Sequence, residues 1–347
     1  MATLSRAEFG RRLQLVRASI WYEALAGDGY AGLLRGFAAQ PPPPLPAMPG
    51  LSRSRLGAWI CTDPAVAERI LGDERFGVRR ADGGKPHLQV LPLDETFLGA
   101  EPSAQRRIAE LLGPELGAVR ADTVRRHADA LLAGCGDEFE LVGDVAEPLA
   151  VRVLAELFGL DGIAGELPAL ATALDALRTP PALADALALA RASRALRDTL
   201  AATADGDLLA GRVLATVLVL ATVPTLLGNA VRSPAHAGDP ASVVDGALHA
   251  HPPVRLLCRV AHTAADIAGT TVAAGEEVVV PVAAGRRAVG LLRAEPRWRM
   301  VEPLVRLLAT TGLAALRARY PTARTQPPRW HPRSPVTARM AWLGVTG

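Results

Sequence analysis

The chemistry-bearing residues of this chain are seven histidines, three cysteines and a few isolated hydroxyls. His249-Ala-His251, followed by Cys258, has the donor types of a metal site, because an H-x-H pair on a strand can turn both rings toward one ion. No carboxylate or third ligand follows at a metal-site spacing, so the pattern favours surface or capping histidines at a helix end. Cys61, Cys135 and Cys258 lie far apart and share no C-x-x-C spacing, which suits reduced thiols in a cytoplasm better than a disulfide framework. Ser193, Ser233 and Ser242 lack a nucleophile-elbow setting. No P-loop run is present, and Gly83-Gly84 reads as a turn. The sequence therefore assigns no catalytic, cofactor-binding or metal-binding residue.

The elements that would position any site are mainly helical. Half the residues are apolar but only 4% are aromatic, so the core must be built from Ala, Leu and Val, with Gly and Pro placed where periodic segments stop. The expected class is mainly α with minor β. Against 35 acidic residues stand 38 basic ones, almost all arginine, for a formal charge of +3. The arginines come as scattered pairs (Arg11-Arg12, Arg79-Arg80, Arg106-Arg107, Arg125-Arg126, Arg286-Arg287), which argues against a nucleic-acid-binding face. Arg6, Glu8, Arg11 and Arg12 interrupt any signal-peptide core, so a cytoplasmic protein is expected. Val213–Val231 is uncharged and long enough to graze the membrane-spanning threshold. Thr216, Thr222, Pro224, Thr225, Gly228 and Asn229 dilute it, and a helix buried in a large core is the plainer expectation.

Along the chain, Ser5 and Glu8 form an S-x-x-E capping box ahead of a helix that ends at Gly27-Asp28-Gly29. Pro41–Pro44, Pro46 and Pro49 read as a stiff connector. Ala58–Thr62 suggests a short strand, and Asp63-Pro64 starts a helix that stops at Gly72. Residues 103–134 suggest two helices parted near Gly113-Pro114, and another helix is expected from Glu147 to Leu160. Ala/Leu-rich helices follow to about residue 202 and the buried helix at 213–231. After His251-Pro-Pro, strands are expected at Val254–Val260, Thr270–Val272 and Glu277–Val282, then a helix from Val301 to Arg319 and a strand near Val336–Leu343. The expected organisation is an N-terminal helical segment (1–38), a Pro-rich connector (39–50) and one globular unit (51–347).

Several runs carry a family resemblance. Trp59-Ile-Cys-Thr-Asp-Pro-Ala-Val-Ala-Glu-Arg-Ile-Leu-Gly-Asp-Glu-Arg-Phe resembles the first strand and following helix of bacterial cytochromes P450. His251-Pro-Pro-Val-Arg-Leu-Leu-Cys-Arg-Val-Ala and Ile267-Ala-Gly-Thr-Thr-Val-Ala-Ala-Gly-Glu-Glu-Val-Val-Val resemble their strand region after the K helix. Val282-Ala-Ala-Gly-Arg-Arg resembles the run before the heme loop. The similarity covers most of residues 55–345 and implies a P450-like fold.

The heme-related positions depart from that family. No cysteine or glycine frame lies between Arg287 and the final long helix, where the family carries its thiolate ligand, so the expected fold lacks the heme-binding Cys loop. The propionate-binding H-x-x-x-R pair aligns with Gln105 and Ala109. The oxygen-activation motif aligns with Leu218–Thr222, where Ala221 replaces the acid and Thr222 remains. The K-helix E-x-x-R aligns with Gly246 and His249. Four departures together imply that no heme cofactor is bound.

Within the superfamily, Phe9-Gly-Arg-Arg-Leu-Gln-Leu-Val-Arg-Ala-Ser-Ile-Trp, Gly27-Asp-Gly-Tyr and Leu33-Leu34 resemble the N-termini of heme-less P450-like auxiliary proteins that activate glycosyltransferases of antibiotic pathways. That resemblance implies no catalysis by this chain, and a complex with a glycosyltransferase that moves a nucleotide-activated deoxysugar to a polyketide aglycone. Phe9, Leu13, Val16 and Ile20 form an apolar stripe that either packs on the protein's own core or meets the partner, with Trp21 as its anchor. Two alternatives stand beside this reading. One is a monooxygenase with unusual heme ligation, by His249 or His331; the other is a small-molecule carrier using the empty heme cavity.

Overall fold

The computed structural model describes residues 5–36, 45, 50–81, 100–234, 238–282 and 286–347. The α-helices among the described residues are, in chain order, α1 (Arg6–Leu25), α2 (Gly29–Arg35), α3 (Pro64–Gly72), α4 (Pro102–Gly117), α5 (Ala121–Ala133), α6 (Glu147–Phe158), α7 (Ala173–Ala176), α8 (Leu183–Leu200), α9 (Gly206–Val231), α10 (Pro240–Ala250), α11 (Arg286–Ala294) and α12 (Pro296–Arg319). Short strands β1 (Ser52–Arg53), β2 (Trp59–Ile60), β3 (Phe76–Gly77), β5 (Leu256–Ala261) and β8 (Glu277–Pro281) form a five-stranded sheet in the order β1-β2-β8-β5-β3. Within it β2 and β8 run parallel and the other neighbours antiparallel. β4 (Glu138–Glu140), β9 (Arg324–Thr325) and β12 (Gly344–Thr346) make a second sheet, while β6 (Ala265–Ile267) with β7 (Thr270–Val272) and β10 (Arg329–Trp330) with β11 (Met340–Trp342) are two-stranded ribbons.

α9 is the axis of the core. It is the one described helix long and apolar enough to cross a membrane, and the whole of its most apolar stretch is buried inside the protein. A helix without a polar face must be covered on every side, and α4, α6, α10 and α12 all pack against it. Thr216 and Thr222 satisfy their buried hydroxyls on the carbonyls of Arg212 and Leu218, one turn back (2.8 and 2.6 Å).

Most of the expected elements stand where the sequence places them, with informative exceptions. α4 runs through Pro114 and ends at Gly117, so the expected break at Gly113-Pro114 moves to Ala118–Arg120. Pro114 is exposed near the helix end, where its ring faces water and only one backbone bond is lost. The long final helix starts at Pro296 and not near Val301, because Pro at the first turn lacks an N–H that would be unpaired there anyway. The strand expected at Val336–Leu343 shrinks to Met340–Trp342. The amides of Val336 and Thr337 are turned to the buried carboxylate of Asp175 (2.7 and 3.1 Å) and cannot join a ladder. The Pro-rich connector lies outside the described residues except for Leu45 and Gly50, as do Gly83-Gly84 and residues 283–285 of the run before the heme loop.

The N-terminal segment is seated on the same core. The Ser5–Glu8 capping box is formed in both directions (Glu8 N–H to Ser5 Oγ 3.2 Å, Ser5 N–H to Glu8 Oε2 2.8 Å). Asp28 caps α2 by accepting from the Ala31 amide (2.8 Å) and also accepts from Ser54 Oγ (2.9 Å) and the Arg55 amide (2.6 Å). Arg17 Nε donates to the Pro180 carbonyl (3.0 Å). Gly36 has φ 89°, and a Cβ there would collide with the Pro332 carbonyl, so the end of α2 fits the C-terminal region only as glycine. Asp28 is thus a joint between two segments. Asp28→Ala should lower stability by about 2–3 kcal/mol in urea unfolding, against about 1 kcal/mol for Ser5→Ala. Equal, small losses for both variants would show that Asp28 holds no joint.

Candidate functional site

The place to test for P450 chemistry is the contact between α9 and the start of α12, because Leu218–Thr222 aligns with the oxygen-activation motif and the thiolate loop would precede α12. Leu218 shares a void with Leu292, Glu295, Arg297 and Trp298, and that void measures about 30 Å³. Small-molecule pockets run to about 300–1,000 Å³, and a water needs about 10–15 Å³, so the space suits a solvent molecule or two. Trp298 is 1% exposed and is the bulkiest fully buried side chain among the described residues.

An ion-pair cluster closes the same place. Glu295 lies between Arg259 Nη1 (2.8 Å) and Arg297 Nε (3.0 Å), with Arg259 itself completely buried on β5. Burial pushes the Glu295 carboxyl up, but Arg297 and Arg259 together outweigh it and hold the group below its ordinary value. Arg259 Nη1 also donates to the Cys258 carbonyl (3.1 Å). These residues were not singled out in the sequence, although an arginine inside the apolar run Leu256–Ala261 is a signal that a buried counterion must exist.

The remaining heme-related positions have settled into structural roles. Thr222 is fully buried and spends its hydroxyl on its own helix. Gln105, 1% exposed, donates to the Ala100 carbonyl (2.7 Å). Burial pushes the Cys258 thiol up to about 12 and the Cys61 thiol to about 11, and it also raises Cys135, so none is poised as a thiolate. The His249 ring lies 2.7 Å from the Asp245 carbonyl one turn back on α10. Among the described residues no group of three or more His, Cys, Asp or Glu could hold a metal ion.

The N-terminal stripe divides. Phe9, Leu13 and Ile20 are 8%, 2% and 2% exposed and join the protein's own core, with half-buried Val16 packed against them. Of the two roles weighed for that stripe, its own core has claimed these four side chains. Trp21 is exposed, and so are Leu15, Tyr22 and Leu25. At 100° per residue these four fall within about 120° of the helix, on the side away from the buried stripe. The Arg35 guanidinium stacks on Trp21 at 5.7 Å.

Comparison with known proteins decides the family. No family model matches the chain. The protein TylM3 of Streptomyces fradiae is 34% identical over an alignment of 407 residues that covers 99% of this chain and 93% of the relative. The cytochrome P450 family protein EryCII of Saccharopolyspora erythraea is 30% identical, over 83% of this chain and 78% of that one. The chain belongs to the P450-like auxiliary-protein family. The ligand-free P450 CYP164A2 of Mycobacterium smegmatis superposes with a TM-score of 0.69 at 20% identity, over 96% of this chain and 100% of that one, and shows the shared fold.

The P450 fold implies a heme, and the residues of this P450-like chain do not fit one. The segment before α12 has no thiol, the propionate pair reads Gln105 and Ala109, and among the described residues Trp298 and the ion-paired Glu295 line the void beside Leu218. Trp298→Ala should open a cavity and cost about 3–5 kcal/mol, whereas Thr222→Val should cost about 1 kcal/mol or less. Hemin added to the purified wild-type protein should give no stoichiometric Soret band. A band at one heme per chain would contradict this account of the site.

Proposed function

We propose that this P450-like protein is a non-catalytic auxiliary protein of the cytoplasm that binds a glycosyltransferase and stabilises its active conformation. The partner would transfer a nucleotide-activated deoxysugar to a polyketide aglycone and would hold the catalytic residues. The observation that carries the reading is the missing thiolate: a large P450-like fold is kept while the segment before α12 carries no cysteine and the start of α12 is held by buried ion pairs. What such a scaffold still offers is a surface. A protein that binds only one conformer of a partner shifts the partner's population toward it, without chemistry of its own.

The docking face within this proposal is the outer side of α1. Leu15, Trp21, Tyr22 and Leu25 are 68%, 56%, 71% and 64% exposed. Four large apolar residues on one helix face form a surface that water solvates poorly, and Trp and Tyr are the residue types that dominate interface energetics. Phe9, Leu13, Val16 and Ile20 support that face from beneath.

Co-expression with a candidate glycosyltransferase of an antibiotic pathway tests the proposal. The transferase should gain soluble yield and activity, and the two proteins should co-purify. Leu15→Asp combined with Tyr22→Asp should abolish co-purification and leave monomer stability within about 0.5 kcal/mol, since both positions are exposed. Leu13→Asp should instead unfold the monomer, because it buries an unpaired charge. A double variant that still co-purifies at full yield would move the interface away from α1, and a transferase equally active alone would remove the proposed role.

A further inference from the structure

A second cavity, about 430 Å³, opens between residues 169–188 and the C-terminal segment His331–Arg339. That volume falls in the range of small-molecule sites, about 300–1,000 Å³. It is distinct from the α9–α12 void, with which it shares no lining residue.

Arg339 lines this cavity and is only 9% exposed. Its backbone is fully used: the amide donates to Ser334 Oγ (2.8 Å) and the carbonyl accepts from the His331 amide (2.9 Å). Its guanidinium has no hydrogen bond and no ion pair to any described residue. The acid beside it, Asp175, is already saturated by the Ser334 and Thr337 hydroxyls and the Val336 and Thr337 amides. Asp185 stands at the exposed start of α8 and makes no contact pair with Arg339. Burial lowers the guanidinium's pKa, while Asp175, Glu147 and Asp185 act against that from a distance. Its nitrogens open onto the cavity, so a ligand there can meet donors that the protein leaves unpaired.

Two further polar side chains converge on the same space. Thr179 is 5% exposed, and its hydroxyl has no partner among the described residues. The His331 ring also makes no described hydrogen bond, and burial together with Arg339 lowers its pKa to about 4, so it is neutral at neutral pH with one donor and one acceptor.

We propose that this cavity binds a small organic monocarboxylate, its two oxygens on the Arg339 guanidinium and its remaining polar groups against Thr179 and His331. A planar carboxylate matches the guanidinium fork. A dianionic phosphate fits less well, because Asp175 and Asp185 line the same walls. The assignment does not depend on the partner role proposed above.

Thermal unfolding and calorimetric titration of the full chain with acetate, hexanoate, benzoate and salicylate test it, with benzamide as a neutral analogue and inorganic phosphate as a second anion. At least one carboxylate should bind saturably and raise the unfolding midpoint, with benzamide at least about tenfold weaker than benzoate if benzoate is the binder. Arg339→Leu should weaken that carboxylate about tenfold or more, and it should fold, because it removes an unpaired buried charge. Should that variant fail to fold, Thr179→Val decides through the same titration, and undiminished binding there overturns the proposal. So does binding retained by folded Arg339→Leu, a response to phosphate alone, or no carboxylate binding at millimolar concentration.

Discussion

The packing of α9 against α12 is the constraint on which the rest of the molecule depends. α9 presents apolar side chains around its whole circumference, so each neighbouring element must cover one side of it. Between Leu218 of α9 and the start of α12, the described residues Trp298 and Leu292 line a void of about 30 Å³. Close-packed interiors tolerate few voids larger than a water, and at this contact the chain meets that demand with its own side chains. The Arg259–Glu295–Arg297 cluster then ties β5 to the start of α12 through charges that are mutually compensated.

Beyond this contact, what distinguishes the chain lies at its N-terminal segment and around the cavity beside it. Asp28 joins α2 to residues 54–55, Arg17 joins α1 to Pro180, and Gly36 lets α2 approach Pro332. Pro180 lies between Thr179 and Pro181, both on the cavity wall, and Pro332 is a wall residue too. The helix whose outer face is proposed to dock is therefore mounted on the rim of the proposed ligand site. A rigid mount lowers the entropy cost of presenting that face.

Much of the architecture was legible in the sequence because it rests on local signals. The capping box at Ser5 and Glu8, the Asp63-Pro64 start, and the β-branched run Glu277–Val282 all specify elements that require little tertiary information. The departures from the heme motifs were equally readable, since each is a residue identity. Tertiary facts were not. The amides of Val336 and Thr337 look like strand amides until Asp175, distant in sequence, claims them. The Phe9/Leu13/Val16/Ile20 stripe was visible as a stripe, but periodicity does not tell a core from a docking face. Leu15, Tyr22 and Leu25 stood out only once the opposite face was seen to be buried. Arg339 is one arginine among many in the sequence, and only its burial without a partner marks it.

The central claim is that this chain acts by binding and not by turnover, and stoichiometry tests it most directly. Initial rates of sugar transfer by a fixed amount of the glycosyltransferase should be measured while this protein is titrated across the equivalence point. Binding to one conformer predicts a rate that rises to a plateau at a fixed molar ratio and is unchanged when small molecules are first removed from this chain. A rate that climbs without saturation, or sugar transfer by this chain with no transferase present, would contradict the account.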